Sequence, residues 1–100
     1  MIIMSTMTWP TTSAVEMGKA VVKNFQELPF PDYIKPLGIY NTFYENGVKG
    51  YAILEIEKGK EEDAFKFLNK RVVNYLSIPG FGCKEERLRT MEESLALVGL

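Results

Sequence analysis

Glu55 and the tyrosines near it form the arrangement in this chain closest to acid–base chemistry. Glu55 lies within Gly50-Tyr51-Ala52-Ile53-Leu54-Glu55-Ile56-Glu57. Side chains alternate along an extended strand, so Glu55 shares a face with Tyr51 and Ile53. A carboxylate screened from water there has a raised pKa and can move a proton. Its plainer roles are a solvated side chain or an ion-pair partner for Arg87 or Arg89 across an interface. Tyr40, Tyr44 and Tyr51 present flat apolar rings with hydroxyl tips, suited to a ligand cleft or to packing against a second chain. Trp9, just before Pro10, either caps a pocket or forms a rim of the core. Arg87 and Arg89 can grip a carboxylate or phosphate by forked hydrogen bonds, or form a solvated edge balanced by Glu85 and Glu86. Asn41 is expected to bond locally; its other reading is a small polar pocket beneath the helices. Cys83 sits beside Lys84, but the chain has no His to activate a thiol, so a packed structural residue is expected there. Glu61-Glu62-Asp63 suits the first turn of a helix better than a cation site.

Composition removes several classes of function. The chain has 100 residues, no His, one Cys, 12 Lys+Arg and 13 Asp+Glu. That length makes one domain, residues 1–100, with a single core. Without His there is no His-based triad and no His-ligated metal or haem. One Cys excludes an intrachain disulfide and a multi-Cys metal site, and it suits a cytoplasmic, reducing setting. No stretch reads as a secretory signal or a membrane span. A net charge of −1 gives no general pull toward phosphate backbones or anionic membranes. The expected set is therefore no cofactor, no metal, no nucleic acid and no membrane.

The elements that must position these residues follow from spacing. Residues 1–9 alternate as a strand, with Ile3, Ser5, Met7 and Trp9 on one side and Ile2, Met4, Thr6 and Thr8 on the other. Ser13 and Glu16 have the spacing of a capping box. Val15, Gly18, Val22 and Phe25 then read as the apolar stripe of a helix, with Val21 and Leu28 beside them, stopped by Pro29 and Pro31. Asn46-Gly47 between two apolar runs predicts a hairpin with a type I′ turn. In that register Phe43 faces Gly50, Asn41 faces Ala52, Ile39 faces Leu54 and Leu37 faces Ile56. Leu37, Ile39, Asn41, Phe43, Gly50, Ala52, Leu54 and Ile56 then lie under the helices. Tyr40, Tyr44, Tyr51, Ile53 and Glu55 fall on the opposite face. Phe65, Leu68, Val72 and Leu76, widened by Ala64 and Tyr75, mark a second helix that ends at Pro79-Gly80. Lys66, Asn69, Lys70 and Arg71 fall mostly outside that stripe. Residues 81–89 read as a charged edge strand, and Thr90 with Glu93 opens a short last helix that ends at Gly99.

The order is strand, helix, strand, strand, helix, strand, a ferredoxin-like βαββαβ sandwich of the α+β class with a short C-terminal helix. RNA-recognition sheets share this topology, but the first strand lacks a central aromatic and the setting is not basic. The chain also resembles the dimeric α/β-barrel superfamily, and within it an uncharacterised family of small prokaryotic proteins. The residues that carry the likeness are Met7-Thr8-Trp9, Leu37-Gly38-Ile39-Tyr40, Gly50 to Glu57, Ile78-Pro79-Gly80-Phe81, Leu88, Thr90-Met91-Glu92-Glu93 and Val98-Gly99. It departs at Glu85, Arg87 and Arg89, where the resemblance implies apolar residues. The superfamily includes small-molecule monooxygenases, isomerases and haem-degrading enzymes, so the likeness implies an assembly more than a reaction. The expectation is a homodimer packed through the open sheet face. It would bind a small organic ligand at the sheet face or in the sheet–helix cleft, and either be a cofactor-free enzyme or be a non-catalytic interaction or regulatory module. The residues expected to serve it are Glu55 for chemistry and Trp9, Tyr40, Tyr44, Tyr51, Arg87 and Arg89 for binding.

Overall fold

The computed structural model describes all of residues 1–100. β1 (Ile2–Trp9) leads through a 3-10 turn (Thr11–Ser13) into α1 (Ala14–Glu27). β2 (Ile34–Tyr44) and β3 (Gly47–Ile56) form a long hairpin, followed by α2 (Glu61–Val73), β4 (Gly82–Leu88) and α3 (Met91–Leu97). The four strands make one antiparallel sheet in the order β2-β3-β1-β4. This α+β architecture, with one sheet and three helices, is compatible with a ferredoxin-like fold.

The alternation expected in β1 is realised. Ile3 is buried on the helix side, and Ser5 pairs with Ala52 and Met7 with Gly50 across β3. On β4, the partners of Ile3, Ser5 and Met7 are Arg87, Glu85 and Cys83, so these three share the helix side of the sheet. The core divides into two parts. One gathers Ile3, Ile34, Leu54, Ile56, Ala64 and Leu68. The other gathers Met17, Tyr75 and Ile78, with Met7, Trp9 and Phe81 against them.

The hairpin turn differs from the expected one. Glu45 and Asn46 form the turn, and no residue other than Gly has positive φ, so a type I′ turn is not made. Gly47 carries the positive φ, 138°, and a Cβ there would collide with the Trp9 carbonyl oxygen. The register moves by two residues: Phe43 pairs with Val48, Asn41 with Gly50 and Ile39 with Ala52. A shift of two keeps every side chain on its face, because the side-chain period is two. The pairing slips again between Pro36 and Gly38, and Leu37 is the extra residue, half-exposed rather than under a helix. Pro36 has no N–H for the ladder, and an edge strand is where such a break is tolerated.

Two helix readings are also corrected. The stripe expected to bury α1 is largely exposed: Val15 at 71%, Val22 at 54% and Phe25 at 47%. Met17 and Asn24 are buried instead, with Ala20 and Val21 half-buried between them. Ser13 makes no cap, because its hydroxyl donates to the Pro79 carbonyl (2.8 Å) and ties the start of α1 to the loop before β4. α2 ends at Val73 rather than at Pro79-Gly80: Leu76 lies in the turn that follows, 65% exposed, and the buried line is Ala64, Leu68 and Arg71 of α2 with Tyr75 of that turn. The Thr90–Glu93 capping box forms as expected, with the Glu93 N–H donating to Thr90 Oγ1 at 3.1 Å.

Candidate functional site

A cleft of about 160 Å³ lies between the sheet and the helices, bordered by members of both core groups. The reason for the space is on the central strands. Ser5, Gly50 and Ala52 put only small side chains, or none, on the floor. The roof is Met17, Val21 and Phe25 of α1 and Phe30 of the loop after it, with Leu68, Arg71 and Val72 of α2 and Tyr75 of the turn that follows. Trp9 closes one side with its ring against Gly50, where a Cβ would meet Trp9 Cη2 at 3.2 Å. Ile39 and Asn41 of edge strand β2 and Glu85 of edge strand β4 complete the wall.

Most of this lining is apolar, and its polar members are few and distinct. Arg71 is the most unusual. It is 7% exposed, forms no ion pair, and its Nη1 is buried without a hydrogen-bond partner. Its guanidinium carbon lies 4.1 Å from the Phe30 ring centroid and 5.2 Å from that of Phe25. A desolvated cation–π contact contributes about 2 kcal/mol. Burial of an unpaired ion costs several kcal/mol, so the rings offset only part of it. Burial lowers the Arg71 pKa, and the adjacent Tyr75 opposes that shift. A guanidinium stays charged in any case.

Asn24 fixes where Arg71 stands. It is fully buried, and its Nδ2 donates to the Arg71 carbonyl at 3.0 Å. The Asn74 amide donates in turn to Asn24 Oδ1 at 2.6 Å. This bridge between α1 and α2 satisfies buried polar groups and sets the helices in register above the cleft. Glu85 is the cleft's acidic group; it is exposed on edge strand β4, and partial desolvation raises its pKa.

The residues singled out from sequence fall in two places. Trp9 and Asn41 border the cleft; Asn41 makes no side-chain hydrogen bond, so the local bond expected for it is absent. Tyr40 and Tyr51 pair across β2 and β3 with their side chains on the open face, and they border the cleft from the sheet. The Tyr40 ring lies over Gly38, where a Cβ would strike it. Tyr44 is on the same open face, with Lys49 Nζ 4.6 Å above its ring. Glu55 is exposed on that face, opposite Ile2 and Lys35, and takes no part in the cleft. Arg87 and Arg89 are exposed and also outside it. Cys83 is exposed, not packed as expected, because β4 is an edge strand that the helices leave uncovered. Lys84 pairs with Glu86 at 3.4 Å along that edge. Glu61 accepts a hydrogen bond from the Gly59 N–H at 2.9 Å, a local use of the acidic cluster.

Sequence reasoning missed Arg71, Asn24 and Glu85 as site residues. A signal for Arg71 was present: Ala64, Leu68, Arg71 and Tyr75 are spaced at four, three and four, the pattern of one buried helical line.

The chain matches no family model, no curated protein and no solved structure. No helix is long and apolar enough to cross a membrane.

Proposed function

We propose that the protein binds a small organic ligand in the cleft between sheet and helices. The observation that carries this reading is the cleft itself: an apolar hollow of about 160 Å³ into which Asn41, Glu85 and Arg71 bring polar groups. Small-ligand sites have this constitution, with mostly apolar walls and a few polar groups that fix orientation. Glu85, with its raised pKa, is the group in the cleft best suited to proton transfer, which keeps a cofactor-free reaction open to this site. Native mass spectrometry of freshly purified protein tests the reading. The expected result is a retained small molecule, released by denaturation and lost when Ala52→Phe fills the floor. Retention undiminished by A52F would place the ligand elsewhere.

The same molecule is proposed to work as a homodimer closed through the open sheet face, the assembly of a dimeric α/β barrel. A compact chain of 100 residues exposes about 5,800 Å², so the 6852 Å² seen here exceeds it by about 1,000 Å². One side of an ordinary specific interface is about 800 Å². Ile2, Met4, Tyr40, Tyr51 and Ile53 supply the apolar part of the face. Sedimentation at tens of micromolar is expected to give a dimer, and a monomer at that concentration refutes the assembly.

A second reading, an interaction module, is favoured by α3. None of its residues is buried, and Met91, Leu97, Val98 and Leu100 are each at least 70% exposed. If α3 serves recruitment, truncation after Thr90 leaves ligand retention and folding intact and removes only the partner interaction. A truncated chain that no longer folds contradicts that role.

A further inference from the structure

We propose that Arg71 is the anion anchor of the cleft and that the ligand is a small organic monocarboxylate with an apolar body; this rests on the reading of the cleft as a ligand site. Arg71 is the only cation in the lining, and no carboxylate of the chain pairs with it. Its Nη1 is shut off from solvent without a protein acceptor. Phe25 and Phe30 attract the charge through their rings but leave no counter-charge beside it. The Asn24 bridge holds the helix backbone at Arg71 in place, and the Tyr75 hydroxyl beside the guanidinium is a neutral partner that brings no counter-charge. A carboxylate matches the fork of a guanidinium with two parallel hydrogen bonds and a full opposite charge.

The rest of the cleft narrows the class. Its other walls are mainly aliphatic and aromatic, so the remainder of the ligand is apolar. The cleft volume, about 160 Å³, is close to that of an apolar cavity of roughly 150 Å³ that takes up benzene. Glu85, exposed on the β4 side of the cleft, sets a further negative charge against a dianion, which disfavours phosphate relative to a single carboxylate.

Titration calorimetry at neutral pH with benzoate, benzyl alcohol and inorganic phosphate separates the possibilities. Benzoate is expected to bind at least about tenfold more tightly than benzyl alcohol, the equivalent of about 1.4 kcal/mol. Phosphate should not compete. Arg71→Met should remove the preference for benzoate and leave benzyl alcohol within a few-fold of its original affinity; Arg71→Lys should retain part of the preference. Equal affinity for the two aromatic probes in the unaltered protein overturns the anchor and leaves the cleft reading standing. Failure of both probes to bind overturns the cleft reading and the anchor together. Tight phosphate binding overturns the carboxylate class. Because the first comparison uses the unaltered protein, a misfolded R71M variant does not decide the matter.

Discussion

Glu85, on the β4 side of the cleft, and Asn24, buried between α1 and the end of α2, each have a measurable consequence. Burial raises the Glu85 pKa, so the folded chain holds that proton more tightly than the unfolded chain. Glu85 therefore supports the fold below the ordinary glutamate pKa, and this support is lost as the pH rises through the raised value. At neutral pH the ionised carboxylate burdens the folded state only slightly, because Glu85 is exposed on edge strand β4 and screened by solvent. Glu85→Gln should give a small rise in melting temperature at pH 7 and little change near pH 3; a lower melting temperature at pH 7 would show that the carboxylate is held by an unseen favourable contact. Asn24 works in the opposite direction, by satisfying buried groups. Asn24→Ala takes one of two donors from the Arg71 carbonyl, which keeps the Asn74 backbone N–H, and leaves the Asn74 side-chain amide without its acceptor; the loss is about 1–3 kcal/mol. Chemical denaturation should show that loss, and a change much below about 0.5 kcal/mol would mean that water replaces the amide without penalty.

At the level of elements, two glycines with opposite surroundings give a paired test. Gly47 has φ of 138°, and a side chain there meets the backbone of Trp9. Gly47→Ala therefore adds backbone strain of about 1–3 kcal/mol to a collision that only movement of β1 can relieve. Gly18 lies in α1, and a Cβ there meets nothing within 4 Å. Gly18→Ala should stabilise by about 0.5–1 kcal/mol through helix propensity alone. Thermal melts of the two variants should shift in opposite directions. A stabilising Gly47→Ala would refute the account of the turn. The hairpin also shows what survives an error of register. Asn46-Gly47 correctly marked a chain reversal, and the displacement of two residues kept Tyr40, Tyr51 and Glu55 on one face and Ile39, Ala52 and Leu54 on the other. The α1 stripe did not survive, since Val15, Val22 and Phe25 follow a helical period as well as Met17, Val21 and Asn24 do. Periodicity lists the available faces of a helix; the docking of α1 beside α2 chooses between them.

The whole molecule is elongated, with extents of 48 × 31 × 18 Å and a radius of gyration of 15.0 Å, against about 13 Å for a compact domain of this length. The excess lies in parts that lack a neighbour within the chain: the open sheet face, the β2 edge with α1, and α3. Ile53→Glu places a charge in the middle of the sheet face proposed to close the dimer. Sedimentation should then show a monomer, while the thermal unfolding of dilute protein changes little, because Ile53 is only half-buried in the single chain. A dimer that persists in I53E would move the interface to another surface. The ligand cleft belongs to this scale too, since β1, α1, β2, β3, α2 and β4 all contribute to its wall, with Phe30 and Tyr75 from the connections between them.

By itself the sequence determined what depends on neighbours along the chain: strand alternation, the stop of α1 before Pro29, the α3 capping box, and the absence of His chemistry. It also placed Trp9 and Asn41 among the residues to watch, and both border the cleft. Only the tertiary structure decided that Arg71, 16 residues beyond Glu55, is buried while Glu55 is exposed. The physical reason is that charge and local period describe a side chain without its surroundings. Whether Arg71 meets water or the rings of Phe25 and Phe30 depends on how α1, its following loop and α2 settle over the small residues Ser5, Gly50 and Ala52. That packing leaves both the cavity and the unpaired guanidinium.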